Sequence, residues 1–298
     1  YQCDWSSDVC SSDLATRSDS RYSYDDDWTA ASYAGFSDLV RHRRGASAEV
    51  RLDGDPGAPA AASRWTLGVH AARLDEESRY TDEDPGNLRG LTTDYAARQL
   101  SLFGQTGISL GEAGRLVAGL RLERVSQDGA GTRTRFRKTR GTYDVPVSFR
   151  PRFADTLPGG KLSWERDVAP GVLVFASVTR GYKAGGVNVD ARISPPADPL
   201  TYGTERLWNW EVGVRGHALE RRLTGEMTAF LLRRDRTQVR DSAGFGGNYR
   251  FFTANGRGAQ VSGLEGAGAF TVTRGLTVQA AVAAMDSELE RFTLTNGN

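Results

Sequence analysis

Apolar and polar residues alternate along most of the chain with a period of two. In residues 210–214, for example, Trp210, Val212 and Val214 alternate with Glu211 and Gly213. The same alternation runs through stretches that begin near residues 46, 118, 225 and 276. A β-strand turns successive side chains to opposite faces, whereas a helix would place apolar residues three and four positions apart. The pattern therefore predicts an all-β protein of about eleven strands, each with one apolar and one polar face.

The connections between these strands are predicted to alternate in length. Short links fall near residues 110–113, 167–171, 218–221 and 272–275, with a somewhat longer one at 53–63. Long polar stretches fall at residues 25–42, 81–92, 127–157, 184–205 and 241–248. Barrels of bacterial outer membranes combine short periplasmic turns with longer extracellular loops in this way. No helical pattern or Pro/Ser-rich linker interrupts the series, so a single antiparallel, up-and-down sheet is expected.

The predicted strands are long enough to cross a membrane. Residues 223–240 and 276–292 exceed the roughly 9–11 residues that a tilted strand needs to span the hydrocarbon layer. Aromatic residues near strand ends, including Tyr182, Trp208 and Trp210, are typical of the belts at membrane surfaces, although an ordinary β core also collects aromatic side chains. The pattern therefore favours a transmembrane β-barrel over a soluble β-sandwich.

Composition alone would have indicated a soluble protein. The 298 residues have a mean hydropathy of −0.47 and are 25% charged, and no stretch approaches the roughly 18 uncharged apolar residues typical of a spanning helix. Low mean hydropathy is nevertheless expected for a membrane barrel, because each strand alternates lipid-facing and lumen-facing residues.

The first residues are predicted to be foreign to the protein. Residues 4–14 read Asp-Trp-Ser-Ser-Asp-Val-Cys-Ser-Ser-Asp-Leu, which is one reading frame of a common sequencing-library adapter. We therefore expect residues 1–14 to be an artefact that makes few contacts with the sheet, and residues 15–298 to be the protein itself; the alternative is a genuine Ser/Asp-rich N-terminus. Resequencing the source DNA across this junction would decide between them.

Removing this segment changes two properties. Both cysteines, Cys3 and Cys10, lie in it, so disulfide and Cys-zinc chemistry are not expected in the rest of the chain. Three of the 37 acidic residues also lie there, which moves the formal net charge from +1 to +4. That charge is too small to indicate a nucleic-acid partner.

Two stretches resemble one family of membrane proteins. Residues 175–188, Phe-Ala-Ser-Val-Thr-Arg-Gly-Tyr-Lys-Ala-Gly-Gly-Val-Asn, resemble the YASVSRGYKAGGFN stretch of TonB-dependent receptor barrels. Residues 208–216, Trp-Asn-Trp-Glu-Val-Gly-Val-Arg-Gly, are similar to the WNYEVGLKG strand that follows a long loop later in that family. The residues that carry this resemblance are Arg180, Gly181, Tyr182, Lys183, Ala184, Gly185, Gly186, Asn188, Trp208, Asn209, Glu211 and Gly213. We call residues 180–188 the loop motif.

The resemblance implies an architecture, a location and partners. The family's barrel has about 22 strands and is closed by an N-terminal plug. We therefore expect this chain to be a middle portion, truncated at both ends, that forms an open curved sheet. The resemblance further implies the outer membrane of a Gram-negative bacterium, contact with its lipid, and energised uptake of a scarce small ligand. The expected ligand is a ferric siderophore, and the expected partner is TonB, acting through the missing N-terminal region.

Candidate catalytic and metal-binding chemistry is sparse. The three histidines, His42, His70 and His217, lack close metal-ligand spacing. The acidic runs at residues 25–27 and 53–55 lack the pattern of a calcium loop. We therefore predict that the protein is not an enzyme and has no cofactor or metal. Charged residues predicted to face the lumen, where pairing across strands is their expected role, are Arg51, Arg121, Glu123, Glu211 and Arg215.

Three functions remain open at this point. The first is an energised receptor and transporter, which the loop motif favours. The second is a passive porin or structural barrel, because the strand pattern does not distinguish it from the first. The third is a secreted β-rich enzyme, which would need a catalytic constellation that the sequence does not offer. A plug domain with a TonB box elsewhere in the gene would support the first function.

Overall fold

The computed structural model describes residues 2–3, 9–25, 35–54, 64–189, 193, 197–243 and 250–290. The eleven long strands are β2 (Val9–Asp25), β3 (Phe36–Gly54), β4 (Arg64–Glu83), β5 (Asn87–Ser109), β6 (Arg115–Arg137), β9 (Arg152–Ala169), β10 (Val172–Lys183), β13 (Glu205–Ala218), β14 (Leu223–Asp235), β17 (Ala259–Thr273) and β18 (Leu276–Leu289). The shorter strands are β1 (Gln2–Cys3), β7 (Thr142–Tyr143), β8 (Val147–Phe149), β11 (Gly186–Val187), β12 (Thr201–Tyr202), β15 (Gln238–Ala243) and β16 (Arg250–Asn255). One 3-10 turn, at Gly111–Ala113, joins β5 to β6. No helix among these residues is long and apolar enough to cross a membrane.

The long strands form one antiparallel sheet whose order follows the sequence. Each long strand pairs with the long strand before it and the long strand after it, from β2 to β18. Within the described ranges β18 pairs only with β17, so the sheet is open. The predictions of an all-β fold, of about eleven strands and of an unclosed sheet are therefore confirmed.

The two faces of the sheet differ in chemistry, as the alternation predicts. Val50, Val69, Leu102 and Leu122 are successive cross-strand partners on four neighbouring strands. Their exposed fractions are 51%, 47%, 52% and 52%. Because partners in register share a face of the pleat, these residues define one outward band, which we call the apolar face. The residues between them belong to the opposite side, the polar face.

The predicted alternation of short and long connections is wrong at residues 81–92. Strand β4 continues to Glu83 and β5 begins at Asn87, so only a tight turn separates them. Asp84 stabilises this turn, since its Oδ1 accepts hydrogen bonds from the amides of Gly86 and Asn87, each at 2.7 Å. Polar residues here had indicated a loop, but a strand that projects beyond a membrane has water on both faces and can be polar throughout.

The long stretch predicted at residues 127–157 is also mostly strand. Strand β6 continues to Arg137, β9 already begins at Arg152, and β7 and β8 pair with the end of β6. In the stretch predicted at 25–42, β3 begins at Phe36, and residues 26–34 lie outside the described ranges. The strands therefore extend well past the apolar face at this end of the sheet.

The N-terminal residues pair with the sheet, against the expectation that they would make few contacts. Residues 9–14 belong to β2, and their partners in β3 run from Leu52 to Ser47. An exposed strand edge accepts main-chain hydrogen bonds from almost any sequence, so such pairing does not require matched side chains. Ser11 and Asp13 share a face with Val50 and Ala48, which places polar residues in apolar rows. The foreign origin of residues 1–14 stays a prediction.

Candidate functional site

The segment that joins β10 to β13 folds back over the polar face. Ile193 in this segment is fully buried, and its carbonyl oxygen accepts a 2.7 Å hydrogen bond from Nη1 of Arg133 on β6. It belongs to a buried cluster with Leu91 of β5 and Phe149 of β8. Strands β5 and β6 are three and two places from β10 in the sheet. Ile193, in the described part of this connection, therefore lies over the polar face instead of projecting into solvent.

Two small hairpins complete this arrangement. Strands β11 and β12 pair with each other, as do β15 and β16, and neither pair belongs to the main sheet. Ala243 of β15 and Phe252 of β16 join the same buried cluster as Ile193. We call these two hairpins, together with Asn188 and Ile193, the loop cap, and we call the end of the sheet that carries it the cap end.

Asn188, the last residue of the loop motif, joins the two hairpins. It is 7% exposed, and its Oδ1 accepts a 2.9 Å hydrogen bond from the amide of Thr253 on β16. Its Nδ2 donates to the carbonyl oxygens of Thr253, at 2.8 Å, and Pro199, at 3.0 Å. The side-chain amide thus pairs with β16 as a peptide group would, and this explains why an amide stands at this position.

The glycines of the loop motif allow close packing beneath the cap. A Cβ on Gly185 would collide with the carbonyl oxygen of Tyr202 and would lie 2.6 Å from the ring of Phe153. A Cβ on Gly186 would lie 2.5 Å from the Tyr202 hydroxyl oxygen. The carbonyl of Gly185 accepts a 3.0 Å hydrogen bond from Nε2 of Gln127 on β6. Both positions therefore require glycine for steric reasons and not for an unusual φ.

A buried carboxylate forms a second anchor of the cap. Glu205 is 2% exposed and accepts hydrogen bonds from Nε of Arg234, at 2.7 Å, and from the amide of Gln238, also at 2.7 Å. The Gln238 side chain donates to the carbonyls of Lys183, at 3.2 Å, and Ala184, at 2.8 Å. These contacts connect the end of β10 to β13, β14 and β15. The sequence did not single out Glu205, Arg234 or Gln238, because nothing in their local pattern distinguishes them from other strand-end polar residues.

Asn255 fixes the start of β13 against the link between β14 and β15. Its Nδ2 donates to the carbonyls of Gly203 and Arg236, each at 2.9 Å, and its Oδ1 accepts from the Gly203 amide at 2.5 Å. Like Asn188, it uses both ends of its side-chain amide to hold main-chain groups that no strand partner satisfies.

The first residues of the loop motif contact opposite faces of the sheet. The Arg180 guanidinium lies 5.8 Å from the ring centre of Trp208, which stacks on Trp210 with centroids 6.0 Å apart. The Tyr182 hydroxyl instead donates to Glu123 on the polar face at 3.2 Å. Its ring passes over Gly159, where a Cβ would lie only 3.0 Å from Cε1. A Cβ on Gly181 would lie 3.1 Å from Leu207.

The five candidate lumen residues all lie on the polar face, but in separate groups. Arg51 pairs with Asp53 at 2.9 Å, and Arg121 pairs with Glu123 at 2.8 Å. Arg121 also lies 5.7 Å from the ring centre of Phe103.

The other two lie further along the sheet. Glu211 accepts hydrogen bonds from Asn209, at 2.7 Å, and Ser177, at 3.1 Å, whereas Arg215 lies 3.9 Å from Glu165. These pairs bridge neighbouring positions and do not converge on one centre, and that they line a lumen stays a prediction.

Gly213 lies next to this group and cannot carry a side chain without displacement. A Cβ there would lie 2.5 Å from Cζ of Phe175 and 2.7 Å from the Met227 carbonyl oxygen. Because one of these atoms is backbone, the strand itself would have to move.

Charged side chains near the cap end form ion pairs that are partly exposed to water. Arg137 and Arg135 donate hydrogen bonds to Asp144, each at 2.6 Å, and hold the pKa of this carboxyl at about 2. In the described ranges no group of three or more His, Cys, Asp or Glu side chains is arranged to hold a metal ion. The described residues therefore form a polar surface held by ion pairs and hydrogen bonds, with the loop cap over it.

We expect Asn188→Ala to loosen the loop cap. The variant loses three hydrogen bonds of a buried amide, worth about 2–3 kcal/mol of local opening free energy. Hydrogen exchange at the Thr253 amide should therefore accelerate roughly 30- to 150-fold. Asn87→Ala, which acts on the β4–β5 turn, is the matched control and should leave Thr253 unchanged. Equal exchange at Thr253 in both variants would show that Asn188 does not hold the cap.

Comparison with known proteins places this geometry in a family. A family model described as "TonB dependent receptor-like, beta-barrel" matches residues 2–298. No curated protein matches the chain. The ferric yersiniabactin uptake receptor FyuA from Yersinia pestis is similar in structure, with a TM-score of 0.69 and 16% identity over 94% of this chain and 39% of its own.

Two further structures are similar. The siderophore receptor PiuA from Acinetobacter baumannii has a TM-score of 0.67 and 12% identity, over 99% of this chain and 46% of its own. The copper transporter OprC has a TM-score of 0.52 and 14% identity, over 94% of this chain and 51% of its own. At these identities the likeness shows the fold alone, and the chain spans 39–51% of the length of these three structures.

The family model covers the strands, the loop motif and the cap in one continuous match. Members of this family are β-barrels of the Gram-negative outer membrane and are transporters, not enzymes. The predicted location and the predicted absence of enzymatic activity follow from that membership. The chain belongs to the TonB-dependent receptor-like β-barrel family.

Proposed function

We propose that this chain is the middle part of the barrel of a longer outer-membrane receptor, which takes up a scarce ligand with energy delivered through TonB. The proposed ligand is a ferric siderophore. TonB would act on the N-terminal plug region, which lies outside this chain. The candidate lumen residues would face that plug and the path of the ligand.

The observation that carries this proposal is the loop cap. Ile193, Ala243 and Phe252 are buried together against β5 and β8, over the polar face of the sheet. A passive pore needs a lumen that stays open to water. A receptor that captures a dilute ligand instead needs ordered outer segments above the path, and the cap supplies them. The passive-porin alternative is therefore disfavoured.

The proposed ligand class rests on two structural neighbours and on the charge at the cap end. FyuA is named for the uptake of ferric yersiniabactin and PiuA as a siderophore receptor, whereas OprC is named as a copper transporter. Arg135 and Arg137 at the cap end bind Asp144 through Nε, and their remaining guanidinium donors would suit an anionic metal chelate, because guanidinium groups bind carboxylates and other oxyanions. We propose the siderophore on that ground.

The test is uptake by cells that express the full-length receptor and lack other receptors of the family. The expected result is saturable uptake of at least one iron-labelled catecholate, hydroxamate or carboxylate chelate, abolished by an uncoupler or by loss of TonB. Uptake that rises linearly with concentration and ignores the uncoupler would support a passive pore. Saturable, energised uptake of copper or peptide alone would support the receptor function but would contradict the proposal of a siderophore as the ligand.

A pair of glycine variants links transport to the cap. Gly185→Ala places a Cβ against Tyr202 and Phe153 and should lower uptake at least about tenfold by displacing the loop motif. Gly275→Ala, in the turn between β17 and β18, meets nothing within 4 Å and should transport normally. Both variants should reach the membrane as folded barrels, as shown by heat-modifiable migration in gels. Equal uptake by the two variants would show that transport does not depend on the packing of the loop motif beneath the cap.

A further inference from the structure

Arginines mark the boundary of the apolar face at the cap end. On six strands the outward-facing apolar residues end before the cap end is reached. The next outward-facing residue, two positions closer to the cap end, is an arginine. These are Arg44 on β3, Arg73 on β4, Arg98 on β5, Arg124 on β6, Arg180 on β10 and Arg233 on β14. On β5 the series is Leu102, Leu100 and Arg98. The repetition on separate strands places a row of guanidinium groups at one level of the outward surface.

Three of these arginines lie within reach of one another. Arg73 and Arg98 are direct cross-strand partners on β4 and β5. Arg124 on β6 is the partner of Leu100, so it lies diagonally across from Arg98. We call these three residues the arginine triad. Partners and diagonal neighbours on one face are close enough for long side chains to meet a common ligand.

The charge of the triad is incompletely balanced by the protein. Arg73 forms a bidentate pair with Asp75, at 2.7 and 2.9 Å. Neither Arg98 nor Arg124 forms an ion pair with a carboxylate in the part of the chain that the structure describes; Arg124 donates to Thr156 Oγ1 at 3.0 Å. Like charges directly opposite each other destabilise a sheet. An anion between Arg98, Arg124 and Arg73 would relieve that repulsion.

The surface beside the triad is apolar. Leu100, Leu102 and Leu122 lie on the side of the triad away from the cap end and are 56%, 52% and 52% exposed. An occupant that satisfies both surfaces needs an anionic head and a hydrocarbon tail. Dissolved phosphate would match the arginines but would leave the leucines uncovered. Arginine is suited to phosphate because its planar fork donates two parallel hydrogen bonds.

We propose that the arginine triad binds the phosphate group of a membrane lipid in the leaflet at the cap end, with the lipid chains lying on Leu100, Leu102 and Leu122. The site is on the outer surface of the barrel and is separate from the path of any transported ligand. Trp208 and Trp210, which pack against Arg180 and Arg233, continue the same boundary on the later strands as an interfacial belt.

The test is lipid retention by the full-length receptor in nanodiscs of phosphatidylcholine that contain a minority of phosphatidic acid. Native mass spectrometry counts the phosphatidic acid molecules that stay bound. The double variant Arg98→Gln/Arg124→Gln should weaken retention at least about tenfold, because it removes two charge-assisted donors. Arg135→Gln/Arg137→Gln, with the same change of charge at the Asp144 hairpin, should retain lipid normally. Equal retention by both double variants would overturn the proposal.

Two further measurements separate the contributions of charge, guanidinium shape and lipid chains. Arg98→Lys/Arg124→Lys keeps the charge but loses the planar fork, so its retention should fall between those of the wild type and the glutamine variant. Retention equal to that of the glutamine variant, in a barrel that still shows heat-modifiable migration, would argue against a charge-assisted site. Inorganic phosphate added in excess should not displace the lipid. Displacement by phosphate would mean that the triad binds the free anion, and the lipid assignment would fail.

Discussion

Purified alone in detergent-free buffer, the 298-residue chain is expected to aggregate. Its apolar face exposes large side chains, among them Leu120 at 76%, Val282 at 72% and Val212 at 59%. A contiguous band of this kind exceeds the apolar patch that a soluble monomer tolerates. Burial against lipid, detergent or another copy of the chain removes this surface from water.

The open edges of the sheet add to this effect. Strand β18 pairs only with β17 in the described structure, and β2 lies near the other edge. A closed barrel removes such edges, whereas an open sheet leaves rows of unpaired N–H and C=O groups that recruit further strands.

Size-exclusion chromatography with light scattering measures the outcome directly. We expect large assemblies in buffer and smaller species when detergent is present. The control is the full-length receptor in the same detergent, which should run as one species of defined mass. A monodisperse, cooperatively melting monomer in detergent-free buffer would contradict the assignment of the apolar face to lipid.

Substitution of Val212 by arginine should destabilise the full-length barrel by about 2–4 kcal/mol. Val212 is 59% exposed on the apolar face, and its cross-strand partners are Ala176 on β10 and Ala229 on β14. A guanidinium at this position would be forced into the hydrocarbon layer, with only apolar neighbours. The free energy of unfolding, measured by denaturant titration in lipid vesicles, reports the loss.

The matched control is Thr228→Arg on the polar face. Thr228 is the cross-strand partner of Gly213 and Glu265, and an arginine there can pair with Glu265. The cost should therefore stay below about 1 kcal/mol. Gly213 itself is unsuitable as a control, because any side chain would meet the backbone of Met227. Equal costs at Val212 and Thr228 would contradict the two-faced description of the strands.

Strand number, order and the two faces followed from the sequence because they depend on local alternation. The period of two fixes which residues share a face, and the rows Val50–Val69–Leu102 and Val178–Trp210–Leu231 then form as the strands pair. The assignment of Arg121, Glu211 and Arg215 to one face came from the same counting. None of this required knowledge of distant contacts.

Strand ends were predicted less well, because polarity does not separate a loop from a strand in water. Residues 81–92 read as a long loop, yet they form two strands and a turn held by Asp84. The residues before Ala15 read as unattached, yet they add to the edge of β3. In both cases main-chain pairing, which is nearly independent of side-chain type, decided the result.

The sequence by itself thus determined the fold class, the face on which each strand residue lies, and, through the loop motif, the family. Only the tertiary structure decided what the motif does. Asn188 pairs with Thr253, and Gly185 packs beneath Tyr202 and Phe153; these partners lie far along the chain, and no local period indicates them. The arginine triad likewise exists only through register, since Arg73, Arg98 and Arg124 meet because β4, β5 and β6 pair as they do. Alternation within a strand specifies a face, but the position along a neighbouring strand is set by the pairing of the whole sheet.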